Sequence, residues 1–166
     1  MKKILFPFAL LFIFMQSCQS PGQKKALDYN NKIANISKVN QDKWKEVGEE
    51  ISAAKESHEF SKLTTLTNNL IDFLDKKIAE VNAMENPLGS EELKNATIKF
   101  LRFEKSTADE ALIPYTKMNK ETSSEEFQSA TQALLEAAKN EEPYLLKLQD
   151  AQRAFAKKNG FEIKEN

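Results

Sequence analysis

The apolar residues of this chain recur three and four positions apart rather than at alternate positions. Over the first long segment, from about Leu27 to Ser57, one helical face carries Ile33, Ile36, Asn40, Trp44, Val47, Ile51 and Ala54. Spacings of three and four residues keep these positions on one side of an α-helix. Gly48 weakens a helix but does not interrupt the stripe, so the pattern predicts one continuous helix with Asn40 in its apolar face.

A second segment, from about Phe60 to Glu85, repeats the helical spacing. The connection KESHEFS contains neither glycine nor proline, so two interpretations are open. One is a helical hairpin, and the other is a single helix of about 60 residues and about 90 Å. The hairpin is preferred, because a helix of that length would need an equally long partner.

The stretch NPLGS then predicts a helix stop and restart. Ser90 is a suitable N-cap, and two glutamates follow it where the helix dipole favours negative charge. The apolar stripe of the third segment includes Glu104. Pro114 predicts that the helix ends or kinks near Ile113, because the residue before a proline avoids helical geometry.

A fourth segment runs from about Glu125 to Asn159. Ser123 and Glu126 have the spacing of a capping box. Pro143 lies inside the segment, but the apolar pattern persists on both sides of it, which predicts one kinked helix. Gly160 followed by a phenylalanine predicts a left-handed C-cap with an apolar contact.

Four amphipathic helices with short connections predict an all-α fold, an antiparallel up-down four-helix bundle over residues 27–166. In this order the first helix starts, and the fourth ends, at one end of the bundle. The connections around Ser57-His58 and at Lys117–Ser124 lie at the other end.

The N-terminus has a different character from this body. Lys2 and Lys3 precede twelve apolar residues, too few for the roughly 20 that a membrane-spanning helix needs. A basic start and a short apolar run predict a signal peptide over residues 1–17. Ser17 and the only cysteine, Cys18, follow the run.

This arrangement resembles the lipobox of bacterial lipoproteins, although Met15 and Gln16 stand where the family usually has leucine and a small residue. The resemblance implies a lipid attached to Cys18 and a tether over residues 18–26; ordinary secretory cleavage is the alternative. The other roles of a cysteine are poorly supported. A lone cysteine forms no internal disulfide, a catalytic thiol needs a base, and thiolate metal sites need several ligands.

The chain has 24 basic and 25 acidic residues, and removal of the N-terminal lysines leaves a net charge of about −3. Without a cluster of basic residues, no nucleic-acid partner is expected. A di-iron bundle would need Glu-x-x-His pairs, but the single histidine, His58, follows Lys55 at that spacing. Adjacent glutamates such as Glu141 and Glu142 do not face each other on a helix and are usually solvated. We therefore expect no enzyme activity, no cofactor and no metal site.

Two features of the body leave alternatives open. Tyr29, Trp44, Tyr115 and Tyr144 either line a ligand cavity or occupy core and boundary positions, and the second interpretation is favoured. Asn40, Thr64, Thr67 and Asn68 either make parts of the interior or boundary polar, where a buried asparagine can fix helix register, or line a polar ligand pocket, and the first interpretation is favoured. The run TTLTNN otherwise belongs to a solvated face.

The stretches AQRAFAKKNGFEI (151–163) and YNNKI (29–33) resemble uncharacterised bacterial surface lipoproteins that are predicted to be helical bundles. The expected function is that of a lipid-anchored cell-envelope protein that binds a protein partner without catalysis. A ligand- or metal-binding bundle and a periplasmic holdase-like chaperone are the alternatives. Gln19 differs from the aspartate that retains some lipoproteins in the inner membrane, which favours the outer membrane, facing the periplasm or the surface.

Overall fold

The computed structural model describes residues 20–163, and every regular element in that range is helical. The elements, in chain order, are α1 (Pro21–Ser57), α2 (Ser61–Ala83), α3 (Glu91–Thr107), a π-helical turn (Ala108–Leu112), α4 (Ile113–Thr116), α5 (Ser124–Lys139) and α6 (Glu142–Asn159). The all-α class and the helical bundle are confirmed.

One core joins these helices. α1 and α3 each pack against α2 and against α6, so the four longest helices surround a common interior, and α5 packs on α3, the π turn and α4. The largest side chains that are fully enclosed in this core are those of Ile33, Leu63, Leu70, Phe100, Tyr115 and Phe155.

Helix α1 begins earlier than the sequence pattern predicts. Ser20 is the N-cap, and its hydroxyl accepts a hydrogen bond from the Gln23 N–H at 3.2 Å. Pro21 follows at the first helical position, where its missing N–H costs no hydrogen bond. Residues predicted as tether are thus helical from Pro21 onward, and Ala26 is fully buried.

The turn between α1 and α2 excludes a single long helix. α1 ends at Ser57, and His58 adopts a left-handed conformation with φ 57°, while its N–H donates to the Ala54 carbonyl at 2.8 Å. The two helices then pack side by side. The hairpin is confirmed, with a histidine at the position where glycine is more common.

The NPLGS turn separates α2 from α3 as predicted, but Ser90 does not cap α3 with its side chain. Its backbone angles, φ −83° and ψ −6°, are already helical, whereas a side-chain N-cap needs extended geometry. The capping prediction at this residue is therefore wrong, and Ser90 is buried instead.

The third helical segment passes Pro114 and ends only at Thr116. Proline has no N–H to donate to the carbonyl of Glu110, four residues earlier. The π turn before it contains the wider backbone spacing that accommodates this lost bond. The irregularity that Pro114 predicts is present, but it lies in the preceding turn.

The fourth segment is two helices rather than one kinked helix, so that prediction is wrong. α5 ends at Lys139, and α6 starts at Glu142 after Asn140 and Glu141. Pro143 cannot donate to the Lys139 carbonyl, but it is well tolerated in the first turn of a new helix.

The two predicted end caps of this segment are confirmed. The Ser123 N–H donates to Glu126 Oε2 at 2.9 Å, and the Glu126 N–H donates to Ser123 Oγ at 3.2 Å, which is a capping box. Gly160 is left-handed with φ 70°. The Phe161 N–H donates to the Ala156 carbonyl at 3.1 Å, which closes α6 as expected.

Two buried threonines provide a matched test of polar burial. The Thr67 hydroxyl has no hydrogen-bond partner, whereas Thr97 Oγ1 donates to the Leu93 carbonyl at 2.7 Å. An unsatisfied buried hydroxyl destabilises a fold, so Thr67→Val is expected to raise the free energy of unfolding by about 1 kcal/mol. Thr97→Val removes the hydrogen bond to the Leu93 carbonyl and is expected to be neutral or mildly destabilising. Urea denaturation measures both, and equal changes in the two variants would contradict the assignment.

Candidate functional site

The first candidate site is a groove at one end of the bundle, which we call the tip groove. Two connections, the α1–α2 turn and the segment after α4, lie side by side there. The Thr64 hydroxyl donates to the Thr116 carbonyl at 3.4 Å, and Lys120 pairs with Glu59 at 3.2 Å. The volume of this open groove is about 250 Å³, and its lining residues are His58, Glu59, Phe60, Ser61, Thr64, Thr116, Met118, Asn119 and Lys120.

The floor of the tip groove is held by aromatic packing. Phe60 is buried, and its ring centroid lies 6.2 Å from that of Phe127. Phe127 in turn contacts Tyr115 edge-on at 5.6 Å, and Tyr115 is fully buried. The groove therefore has a rigid apolar floor beneath an exposed rim that carries His58 and Lys120.

Local hydrogen bonds order the rim that follows α4. The Asn119 N–H donates to Thr122 Oγ1 at 2.9 Å, and the Glu121 N–H donates to Asn119 Oδ1 at 2.8 Å. Asparagine and threonine commonly form such side-chain turns in place of backbone ones. The polar stretch that the sequence indicates only as a loop is thus a compact, structured turn.

The opposite end of α1 leads to the N-terminal segment. Gln23 Nε2 donates to the Gly160 carbonyl at 2.6 Å, and Tyr29 meets Phe155 edge-on at 5.8 Å, so the start of α1 lies beside the end of α6. α1 has 37 residues, which at ~1.5 Å per residue gives a length of about 55 Å. The tip groove is therefore remote from Ser20. The expected lipid attachment site, Cys18, and the predicted signal peptide lie outside the described residues.

The second candidate site is a pair of buried carboxyl groups in the middle of the bundle. Glu104 on α3 is 3% exposed, and Glu141, between α5 and α6, is 5% exposed. The two side chains form a hydrogen bond with each other. Asn40 Nδ2 donates to Glu104 Oε2 at 3.2 Å, and the indole N–H of Trp44, one turn further along α1, lies near enough to Glu104 to favour its charged form.

Burial is the main cause of the altered acidity of this pair. It raises the pKa of Glu104 to about 8, with a further increase from the charge of Glu141, while the hydrogen bond from Asn40 and the nearby indole N–H of Trp44 oppose the rise. Burial likewise raises the pKa of Glu141 to about 7, and the hydrogen bond with Glu104 opposes that rise. Two carboxyl groups this close and this buried do not both ionise readily, so the pair retains a proton near neutral pH.

The sequence indicates only part of this second site. Asn40 and Glu104 both occupy positions in apolar stripes, which is the signal of a buried polar residue. Glu142 is exposed, as expected for one of two adjacent glutamates, but Glu141 is buried, so its interpretation as a solvated residue is wrong. The break after α5 turns Glu141 toward the interior, and no sequence pattern predicts this orientation.

The aromatic residues considered as cavity lining do not meet at one point. Tyr29 packs on Phe155, Tyr115 donates to Thr131 Oγ1 at 3.0 Å, and Tyr144 is 38% exposed and stacks on Phe103 at 4.5 Å. These are core and boundary roles. Trp44 differs, because it contributes to the carboxyl pair.

The three polar residues of α2 that the sequence singles out lie in different environments. Thr64 lies at the tip groove, Thr67 is buried without a partner, and Asn68 is exposed. Only Thr64 therefore contributes to a candidate site.

Within residues 20–163, no three or more histidine, cysteine, aspartate or glutamate side chains form a group that could hold a metal ion. In the same range, no helix is long and apolar enough to cross a bilayer. Comparison of the chain with protein-family models, with curated proteins and with solved structures finds no match.

Proposed function

We propose that this protein is a lipid-anchored cell-envelope protein that binds a protein partner through its tip groove, without a catalytic step. The observation that carries the proposal is the meeting of two connections in one groove at the end of α1 remote from the N-terminal segment. An anchor at Cys18 would present that groove to partners away from the membrane. The outer membrane, facing the periplasm or the surface, is the proposed location.

The proposal includes an antiparallel up-down bundle, with α5 and α6 together as the fourth member. The packing of α1 with α2 and of α2 with α3 supports this order, as does the contact of α6 with both α3 and α1. The hydrogen bond from the Gln23 side chain to the Gly160 carbonyl joins the start of α1 to the end of α6. In such an order the anchor and the tip groove occupy opposite ends.

The groove chemistry favours a peptide segment over a small molecule. Its volume of about 250 Å³ is below the range of roughly 300–1,000 Å³ typical of small-molecule pockets. Phe60 and Met118 offer apolar surface, while Glu59 and Lys120 offer both signs of charge at the rim. We infer a partner segment that inserts an apolar side chain and pairs its flanking charges with the rim.

Site-specific photo-cross-linking in intact cells tests this surface. A cross-linker at Lys120 is expected to capture one dominant protein, and the same group at Lys76, exposed on α2, is expected not to capture it. The double variant Glu59→Lys/Lys120→Glu, probed from His58, retains an ion pair within the protein but reverses the rim charges. We expect it to lose most of the captured product without a change in thermal stability. Capture that survives the charge reversal would contradict binding at the tip groove.

The anchor has a separate prediction. Cys18→Ala is expected to abolish fatty-acid labelling and to move the protein from the membrane to the soluble fraction, because no other cysteine can accept the lipid. Metabolic labelling and fractionation measure the two effects, with the Glu59→Lys/Lys120→Glu variant as a control that keeps its lipid. Labelling that persists in Cys18→Ala would refute the anchor and leave the binding proposal standing.

A further inference from the structure

The interior of the bundle holds two carboxyl groups without a basic side chain to balance them. In the described part of the chain, the groups that shift the pKa of Glu104 and Glu141 include no lysine and no arginine. Buried carboxylates are normally paired, bound to a metal ion or kept neutral by a proton. Among residues 20–163, no basic group therefore balances the pair.

Two buried oxygen atoms, on residues that each contact Glu104, have no hydrogen-bond partner. They are Oδ1 of Asn40, on a side chain that is 0% exposed, and Oε1 of Glu141. The Asn40 amide nitrogen lies 3.2 Å from Glu104 Oε2, and Oδ1 is bonded to the same amide carbon, so a rotation of the amide would turn this oxygen toward the carboxyl pair. An amide oxygen only accepts, and Glu141 Oε1 also accepts when the proton of the pair lies on another oxygen, so the missing partner is a donor or a cation.

Three separate parts of the chain bring these oxygens together, and two of them are irregular. Asn40 comes from the middle of α1, and Glu104 lies one turn before the π turn that starts at Ala108. Glu141 lies in the two-residue break between α5 and α6. π turns within helices occur frequently at functional sites. The backbone departs from regular helix beside both carboxyl groups.

We propose that Glu104, Glu141 and Asn40 bind one hard divalent cation, of the class of Mg²⁺, Ca²⁺ or Mn²⁺. Carboxylate and amide oxygens are the ligands that these ions prefer, and the cluster contains no sulfur or imidazole for softer metals. Two carboxylates balance a charge of +2. The indole N–H of Trp44 lies near Glu104 and would orient that ligand from the second coordination sphere. The site is independent of the lipid anchor and of the tip groove.

Thermal unfolding of the purified full-length chain, stripped with a chelator, tests the proposal. Each of the three ions is added separately at pH 7.5, and calorimetric titration gives the stoichiometry. At least one ion is expected to bind at one per chain and to raise the melting temperature by about 5–10 °C when present at about 100-fold its Kd. The absence of a shift with all three ions would overturn the proposal.

Variants separate this site from adventitious binding. Glu104→Gln and Glu141→Gln keep the side-chain shape and are each expected to lose the cation-dependent shift, whereas Glu142→Gln, at the exposed neighbour, is expected to keep it. Asn40→Asp adds a third carboxylate and is expected to tighten binding at least about tenfold, through the added ligand charge. A shift that survives both Glu104→Gln and Glu141→Gln, or an Asn40→Asp protein whose affinity for the ion is unchanged, would place the ion elsewhere.

Discussion

Glu104→Gln is expected to raise the free energy of unfolding at pH 8 by roughly 2–4 kcal/mol in the metal-free protein. The folded-state pKa of Glu104, about 8, and that of Glu141, about 7, lie above the ordinary glutamate value of 4.5. Between these limits the folded protein holds protons that the unfolded chain has released. With respect to these two groups, the free energy of unfolding of the wild type is therefore at its maximum below about pH 4.5. It falls as pH rises toward 8, by about 1.4 kcal/mol per pH unit for each retained proton. Glutamine carries no charge at either pH and removes this loss at position 104.

Urea denaturation at several pH values between 4.5 and 8, with a chelator present, measures this difference. The difference in the free energy of unfolding between wild type and Glu104→Gln should be small at pH 4.5 and largest at pH 8. Glu142→Gln, at a solvent-exposed residue, should follow the wild-type curve. A constant gap across the range would mean that the pair does not titrate as its burial requires.

Phe155→Ala is expected to lower the free energy of unfolding by about 3–5 kcal/mol, as large-to-small substitutions in cores do. Phe155 is 2% exposed and lies between Tyr29 and Phe161, with ring centroids 5.8 and 5.9 Å away. It therefore joins the start of α1 to the closing turn after α6. The backbone amides of the first turns of α1 should also exchange their hydrogens faster in this variant.

Tyr144→Ala is the matched control for this truncation. Tyr144 lies on the same helix and stacks on Phe103, but it is 38% exposed, so we expect a loss of only about 1 kcal/mol. Equal losses in the two variants, measured by urea denaturation, would contradict the role of Phe155 as the buried connection between α1 and α6.

Local signals along the chain predicted much of the fold. Helical spacing gave the four segments, and the capping box at Ser123 and the cap at Gly160 formed as expected, because such caps depend on residues within one turn of each other. The errors are also local in origin. Ser20 and Pro21 start α1 earlier than its apolar stripe begins, and Pro143 starts a new helix although the stripe continues past it.

The candidate sites depended on information that no local pattern contains. Asn40 and Glu104 are recognisable in sequence as polar residues in apolar stripes. Their partner Glu141 is directly followed by Glu142, which is exposed, and nothing in the local sequence distinguishes the two glutamates. Its burial results from the two-residue break and from the packing of α6 on α3. Likewise, Glu59 and Lys120 carry no sign in the sequence that they form an ion pair.

The sequence by itself determined the helical class, most helix limits and the expectation of an anchored N-terminus at Cys18, because these depend on periodicity, caps and short motifs. Only the tertiary structure decided which polar residues meet. It brought together Glu104 and Glu141, which are 37 positions apart in the chain, and two connections at one groove, because contacts between distant segments follow from how helices pack. Burial changed the chemistry of the carboxyl pair, since a carboxylate removed from water must find a proton, a donor or a cation.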